Sequence, residues 1–363
     1  MMLESLLSLF NGGQADQVVW TADISYWIFG EKESGRADPA WDTEEGYLRL
    51  HRDLGIMPYY WYNDFWLGKP VYAPEIEWQT DHDGYRTTTV IRTPVGDLTS
   101  EMVYLPTSRS TGTTKHFVQS EADFDILRYV IDRRRLAPAG LGDYVERRKR
   151  WAEWDGLPSI ALPRSPLSAL AYEWVGIEHL IYLLFDSRSK VEGLMQQMEE
   201  QEEPILDAVC EAAPPLVHFA DNLSSDTLTS LYDEYLAPVH RKRLERLHAV
   251  GTRCAVHLDG VVRGLLPKLA AVGMDAVEAL TPQPAGDLSA AEMRTVAGSD
   301  RLILWGGVPG VMFAPPYTWE AMEQHVRSVL DAWSGQRFIL GVADQVPPDG
   351  DISFCRRIAE MLA

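Results

Sequence analysis

Short apolar runs alternate with amphipathic stretches along the second half of the chain. The amphipathic stretches Leu231–Val250 and Trp319–Trp333 repeat apolar residues at helical spacing. This alternation predicts buried parallel strands joined by right-handed helical crossovers. We predict a closed (β/α)8 TIM barrel rather than an open doubly wound sheet, because no glycine-rich phosphate loop follows a first strand. The predicted strands are Leu216–Ala220, Cys254–Leu258, Ala276–Leu280, Leu302–Trp305 and Phe338–Val342.

The first half of the chain has a less regular pattern. Val18–Ala22 and Pro158–Leu162 have the composition of further strands, and an aromatic-rich insertion lies between them. Within it, residues 78–120 alternate Thr, Val, Ile and Tyr with polar residues, which predicts a β-hairpin or a small antiparallel sheet. We expect this sheet to form a lid over the barrel mouth.

The composition is that of a folded globular protein. The chain has 363 residues, of which 46% are hydrophobic, so it can bury a substantial core. We predict a single domain over 1–363, with an elaborated part at 1–150 and regular βα units at 151–363. Fifty-three acidic and thirty-three basic residues give a net charge of −20, which argues against nucleic acid or an anionic membrane as a partner.

Cysteine usage indicates a reducing compartment. The three cysteines, Cys210, Cys254 and Cys355, are widely spaced and include no Cys-x-x-Cys pair, so the sequence encodes neither a disulfide framework nor a cysteine-rich zinc site. Met1–Phe10 is apolar but lacks a basic leader and a long apolar run, which predicts a short amphipathic helix. We expect a cytoplasmic protein without a membrane span.

The most informative local pattern is His257-Leu-Asp259 at the end of an apolar run. Side chains alternate along a strand, so the imidazole and the carboxylate share one face about 6.5 to 7 Å apart, while Cys254 lies on the other face. Such a pair can hold a metal ion or transfer protons. A barrel carries its chemistry at the carboxyl ends of its strands, which is where this pair falls.

Five segments at the predicted strand ends carry a family resemblance. They are Phe219–Leu223, His257–Gly260, Asp275–Glu278, Trp305–Pro309 and Ile339–Asp349. Together they closely resemble the uroporphyrinogen decarboxylase superfamily, and in particular its cobalamin-dependent methyltransferase-like branch. The resemblance implies a distorted (β/α)8 barrel with a cleft at the carboxyl ends of the strands, an enzyme acting on a small-molecule substrate, and a homodimer.

Departures from the family pattern distinguish its branches. The decarboxylase carries an arginine-rich segment after its first strand, which binds the many carboxylates of a porphyrinogen. The corresponding segment here is Trp20–Trp27, and Asp23 lies where that substrate needs a cation. We therefore expect uroporphyrinogen not to be the substrate.

The methyltransferase branch uses zinc bound by a His-x-Cys pair and a later cysteine. The matching positions here are His257, Asp259 and Asp344, so both cysteines are replaced by carboxylates. The resemblance therefore implies a divalent metal at these three residues, with zinc preferred, although manganese and iron(II) also suit such ligands. The chain has no Asp-x-His-x-x-Gly motif, and we expect cobalamin to be brought by a separate corrinoid protein.

Further residues are assigned to the site by their positions. We expect His257, Asp259 and Asp221 to be catalytic, although Asp221 and its neighbour Asn222 also suit a helix N-cap and Asp344 suits a turn. Aromatic residues of the first half are candidates for a cage around a methoxylated ring or a quaternary ammonium, and packing in the core is the alternative for each of them. The predicted substrate-binding residues are Trp20, Asp23, Trp27, Tyr60, Trp61, Asn222 and Glu278.

These observations favour a methyltransferase or demethylase that moves a methyl group between a small substrate and a corrinoid protein. Two alternatives stay open. The same fold supports decarboxylation without a metal, either of a small carboxylic acid or, as the less favoured substrate, of uroporphyrinogen. A barrel that has lost its chemistry and only binds a ligand is consistent with the loss of both ligand cysteines.

Overall fold

A computed structural model describes residues 1–363. The strands are β1 (Trp20–Thr21), β2 (Gly68–Tyr72), β3 (Glu77–Asp83), β4 (Arg86–Thr93), β5 (Gly96–Leu105), β6 (Ser110–Lys115), β7 (Arg134–Pro138), β8 (Ala161–Leu162), β9 (Leu216–Leu223), β10 (Arg253–Leu258), β11 (Ala276–Leu280), β12 (Ile303–Pro309) and β13 (Phe338–Ala343). The helices are α1 (Met2–Phe10), α2 (Ser25–Glu33), α3 (Glu44–Leu54), α4 (Glu121–Asp132), α5 (Tyr144–Ala152), α6 (Pro166–Ala169), α7 (Ile177–Asp186), α8 (Arg188–Ala212), α9 (Ser225–Leu231), α10 (Ala237–Ala249), α11 (Leu266–Val272), α12 (Ala290–Ala297), α13 (Trp319–Trp333) and α14 (Ser353–Leu362).

The residues form two compact units. The first comprises Met1–Trp66, Gly140–Ala161 and Val209–Ala363, and the second comprises Leu67–Ala139 and Leu162–Ala208. The expectation of a single domain stays a prediction. No helix combines the length and the apolar character needed to cross a membrane.

A parallel barrel forms the first unit. Seven strands are hydrogen-bonded in the order β1, β13, β12, β11, β10, β9, β8. The segment between Met57 and Trp66 closes the remaining gap, because Met57 bridges to Thr21 of β1 and Trp66 bridges to Ala161 of β8, both in parallel. The predicted TIM barrel is confirmed. In place of a second barrel strand it has this irregular segment, which shows no strand periodicity.

The barrel interior is apolar near the amino-terminal ends of its strands. Inward-facing residues of consecutive strands, including Ala255, Ala276 and Ile339, pack in one cluster that also contains Leu6 and Phe10 of α1. Helix α1 therefore closes this end of the barrel with its buried face. The central strands are buried on both sides, which explains their nearly continuous apolar sequences.

The second unit contains antiparallel sheet and helices. Strands β3 to β6 form a four-stranded antiparallel sheet, and β2 pairs with β7 in a separate antiparallel ribbon. The antiparallel sheet predicted for residues 78–120 is therefore present. Its role as a lid stays a prediction.

Candidate functional site

His257 and Glu278 form an ion pair at the carboxyl end of the barrel. The two residues are register partners on the adjacent parallel strands β10 and β11. They follow the inward-facing Ala255 and Ala276 by two positions, so both side chains face the barrel interior. The His257 Nδ1 atom lies 2.8 Å from Glu278 Oε2. The His257 Nε2 atom has no hydrogen-bond partner and is accessible to solvent, so a substrate can reach it.

The charges around this pair keep the imidazole protonated. Burial by itself lowers the pKa of His257, but the charge and hydrogen bond of Glu278, together with the charge of Asp344, raise that pKa to about 9. Burial has the opposite effect on Glu278, yet His257 and a hydrogen bond from Tyr60 bring the pKa of this carboxyl below its usual value. The pair is therefore an imidazolium beside a carboxylate at neutral pH.

Two more carboxylates lie at the strand ends near the imidazole. Asp259 follows β10, and Asp344 follows β13 with a positive φ of 65°. Residues other than glycine rarely adopt this left-handed backbone conformation, and those that do cluster at functional sites. Asp344 is exposed at the surface of the cleft as a residue. The protein that surrounds its carboxyl group still removes part of the solvent and raises the pKa of Asp344 to about 6. The charge of His257 opposes this shift, whereas the charge of Asp259 adds to it.

Asp23 is the centre of a hydrogen-bonded network beside these residues. It is buried at the end of β1, and Oδ1 accepts from the backbone and hydroxyl of Ser25 at 2.9 and 2.6 Å. Oδ2 accepts from the Tyr62 hydroxyl at 2.5 Å and from Gln345 Nε2 at 2.9 Å. Four donors satisfy a charge that would otherwise be costly to bury. The network joins β1, the closing segment and the loop after β13.

His218 lies one layer deeper in the barrel than His257. It pairs in register with Ala255 and packs against the rings of Tyr59 and Trp305 at centroid distances of 5.2 and 5.9 Å. Burial among these rings lowers the pKa of His218 to about 4, so this imidazole is neutral. Its Nε2 and the Tyr59 hydroxyl are buried polar atoms without a hydrogen-bond partner. Groups of this kind are often paired with water or a ligand.

An aromatic pocket adjoins the Asp23 network. It has a volume of about 190 Å³, and Trp41, Tyr47, Trp61, Tyr62 and Ser25 contribute to its walls. Ser25 and Tyr62 both donate to Asp23, so the pocket and the polar network share residues. The pocket therefore offers apolar surface beside hydrogen-bonding groups, as small-molecule sites commonly do.

The other predicted substrate-binding aromatics are packed away from this pocket. The Trp20 indole donates to the Cys355 carbonyl at 3.2 Å, on the side of α14. Trp27 is buried against Trp41 at a ring-centroid distance of 5.4 Å. Tyr60 instead reaches Glu278 through its hydroxyl. Of the aromatics named from the sequence, Trp61 lines the pocket and Tyr60 contacts the ion pair.

Asp221 faces the helical layer rather than the barrel interior. It is fully buried, and its Oδ2 lies 2.7 Å from Nε2 of His240 on α10. The other imidazole nitrogen of His240 lies 3.1 Å from the Tyr232 hydroxyl. Asn222 is exposed and has a φ of 53°, at a register shift between β9 and β10. The structure does not bring Asp221 together with His257.

The predicted metal ligands do not form a ready coordination set. The only trio of His, Cys, Asp or Glu side chains whose ligand atoms all lie within 4.8 Å of one another is elsewhere, so His257, Asp259 and Asp344 do not converge in this way. These donors are too widely spaced to form a coordination set as they stand. A divalent metal here stays a prediction, and we derive no step through it.

The sequence profile of the uroporphyrinogen decarboxylase (URO-D) family matches residues 80–362. The chain belongs to the URO-D family. The match confirms the resemblance drawn from the strand ends. No curated protein matches the sequence of this URO-D protein.

Comparison with solved structures identifies one that shares the fold of this URO-D protein. A methyltransferase from Methanosarcina mazei aligns with a TM-score of 0.61 at 15% identity, over 100% of this chain and 99% of that chain. A B12-independent methionine synthase from Shewanella sp. W3-18-1 aligns with a TM-score of 0.43 at 13% identity, over 72% of this chain and 74% of that chain. The first likeness establishes the fold.

Three residues at this site are not among the site residues predicted from the sequence. His218 is a polar residue on the inward face of an otherwise apolar strand, and that signal was available in the sequence. Tyr62 and Gln345 had no comparable signal. They reach Asp23 from positions 39 and 322 residues away along the chain, which only the fold brings together.

Proposed function

We propose that this URO-D protein transfers a methyl group between a small methylated substrate and a corrinoid carried by a partner protein. The supporting observation is His257, whose imidazole is held in its charged form by Glu278 while Nε2 is open to the cleft. A protonated imidazole in such a position is suited to general acid catalysis. The shared fold with a methyltransferase supports the same class of reaction.

Demethylation of a neutral ether, thioether or amine requires a proton at the heteroatom of the substrate. When the bond between the methyl carbon and the heteroatom breaks, both electrons remain on the heteroatom. The Nε2–H group of His257 donates its proton to that atom, and the imidazole later recovers a proton from solvent. Glu278 holds Nδ1, which fixes the ring orientation and stabilises the charged form before the transfer. A reduced corrinoid on the partner protein would supply the electron pair that forms the new bond to the methyl carbon.

The charges at the cleft select against a polyanionic substrate. Asp23, Asp259, Asp344 and Glu278 are carboxylates near one imidazolium. A tetrapyrrole with many carboxylates meets repulsion in this environment, and this agrees with the absence of the family's arginine-rich segment. A small substrate that is neutral or cationic, with an apolar part for the aromatic pocket, suits the site better.

The test is methyl transfer to added reduced cobalamin. The purified protein is incubated with cobalamin and a panel of methoxylated aromatics, methylated amines and methyl thioethers, and demethylated products are measured by mass spectrometry. We expect turnover with at least one compound, and a rate roughly 10²- to 10⁴-fold lower for His257→Gln. His82→Gln changes an exposed imidazole on β3 and is expected to retain the full rate.

Three outcomes overturn the proposal. Release of carbon dioxide from a small carboxylic acid without cobalamin makes the protein a decarboxylase. Tight binding of a panel compound without turnover favours a ligand-binding barrel. Methyl transfer at an unchanged rate in His257→Gln removes the acid from the mechanism.

A further inference from the structure

Three side chains with nitrogen, sulfur and oxygen donors meet at the opposite end of the barrel. They are His248 in the last turn of α10, Cys254 near the start of β10, and Asp275 just before β11. Their ligand atoms all lie within 4.8 Å of one another. We propose that this amino-terminal cluster binds a divalent transition metal of the zinc class.

The backbone holds the three residues in fixed positions. The turn between α10 and β10 brings His248 and Cys254 together, and β11 runs parallel to β10 as its neighbour. Asp275 Oδ2 lies 2.7 Å from His248 Nε2 and accepts a hydrogen bond from the Cys254 backbone nitrogen at 2.8 Å. Ligands placed on helices and strands are held more precisely than ligands on loops.

The donor chemistry suits zinc. Imidazole, thiolate and carboxylate are its protein ligands, and three of them with a water molecule complete a tetrahedral site. The metal would replace the hydrogen bond between His248 Nε2 and Asp275 Oδ2. Asp275 Oδ1 lies 3.6 Å from Arg253 Nη1, so Oδ1 can retain its ion pair with Arg253 while Oδ2 binds the metal.

Exposure allows an ion to enter from one side. The Cys254 side chain is completely buried, whereas the side chain of His248 is 31% exposed and that of Asp275 is 16% exposed. The cluster lies at the ends of the strands away from His257, so its metal would join α10 to β10 and β11 and would not contact a substrate in the cleft. Binding to the folded state alone would stabilise the fold.

The test is a titration of the metal-free full-length protein with Co²⁺, followed by absorption spectroscopy. A cobalt ion bound to a cysteine thiolate gives a charge-transfer band in the near ultraviolet, which a site of carboxylates and imidazole lacks. We expect the band with one equivalent of metal. Cys254→Ser should abolish the band and weaken Co²⁺ binding by about 100-fold. Loss of a metal ligand should weaken binding at least as much as loss of a residue that only supports a ligand.

Matched variants show whether the band arises from this cluster. Cys355→Ser removes another fully buried thiol and should leave the band unchanged. His257→Gln should leave it unchanged as well, which keeps this test independent of the proposed methyl transfer. If Cys254→Ser does not fold, the partly exposed His248→Gln serves instead and should weaken the binding similarly. Absence of the band in the unmodified protein, or an unchanged band in Cys254→Ser and His248→Gln, overturns the proposal.

Discussion

At the scale of single residues, two imidazoles one layer apart in the same barrel are held in opposite protonation states. His257 has a pKa of about 9 because carboxylates surround it, whereas the pKa of His218 is about 4 because aromatic rings bury it. Pairs of titratable groups with separated pKa values often mark acid and base roles. The neutral His218 below the charged His257 therefore offers a hydrogen-bonding nitrogen inside the barrel without adding a second positive charge.

Glu278→Gln should move the alkaline limb of the pH profile of kcat/KM. In the unmodified protein His257 acts as an acid below a pKa of about 9, and activity falls as the pH rises through that value. Without the carboxylate, the pKa of His257 falls toward its ordinary value, so the limb should move roughly one to two units to lower pH. Steady-state kinetics over a pH series measures the shift.

The same pair affects the pH dependence of stability. Since the folded state raises the pKa of His257, its contribution to the free energy of unfolding is fully present below about pH 6.5. The contribution is lost as the pH rises through about 9.

The kinetic prediction for Glu278→Gln has a matched control. Glu45→Gln changes a carboxylate on α3 that is 72% exposed, and it should leave the pH profile of kcat/KM unchanged. An unchanged alkaline limb in Glu278→Gln would contradict the assignment of His257 as the acid.

At the scale of elements, strand alternation decides which way a carboxylate faces. Asp221 lies three positions after the inward-facing His218, so its side chain is on the outer face of β9, where it joins the strand to α10 through the buried imidazole of His240. From the sequence we predict Asp221 to be catalytic because it follows an apolar run at a position where the family has an acid that faces the substrate or cofactor. The structure gives it a position that ties a strand to its helix.

Asp221→Ala should destabilise the fold without changing the catalytic pH profile. Removing the carboxylate leaves the buried His240 Nε2 without this hydrogen-bond partner, at a cost of about 1 to 3 kcal/mol. Urea unfolding measures this loss. Asp331→Ala, at an exposed position near the end of α13, should cost about 0.5 kcal/mol or less. A shifted pH profile in folded Asp221→Ala would instead restore a role for Asp221 in catalysis.

At the scale of the whole molecule, the barrel depends on segments that do not look like strands. The stretch from Met57 to Trp66 closes the sheet, and α1 fills its amino-terminal end. The predicted homodimer and corrinoid partner involve surfaces outside this interior and stay predictions. The site itself requires closure, because β1 and β13 must be neighbours before Gln345 can reach Asp23.

Leu6→Ala should therefore lower the stability of the complete barrel. Leu6 is fully buried in the interior cluster, and truncation of a buried leucine costs about 2 to 5 kcal/mol. Leu7 on the same helix is only partly buried, so Leu7→Ala should cost clearly less. Chemical denaturation of both variants provides the comparison. Equal losses would show that α1 does not act through its buried face.

Much of the barrel and part of its site were determined by the sequence alone. Strands β9 to β13 have apolar runs that reveal them, and a parallel barrel places the residues that follow such runs at one rim. His257, Asp259, Glu278 and Asp344 could therefore be named from local patterns, because strand periodicity depends on near neighbours in the chain.

Only the tertiary structure decided what those residues do. Glu278 holds His257 across 21 residues, and Gln345 reaches Asp23 across 322, so neither contact has a local signal. The partner of Asp221 on α10, the neutral state of His218 and the meeting of His248, Cys254 and Asp275 likewise depend on neighbours brought together by folding. Protonation and hydrogen bonding respond to the three-dimensional surroundings of a group, and periodicity in the sequence does not encode those surroundings.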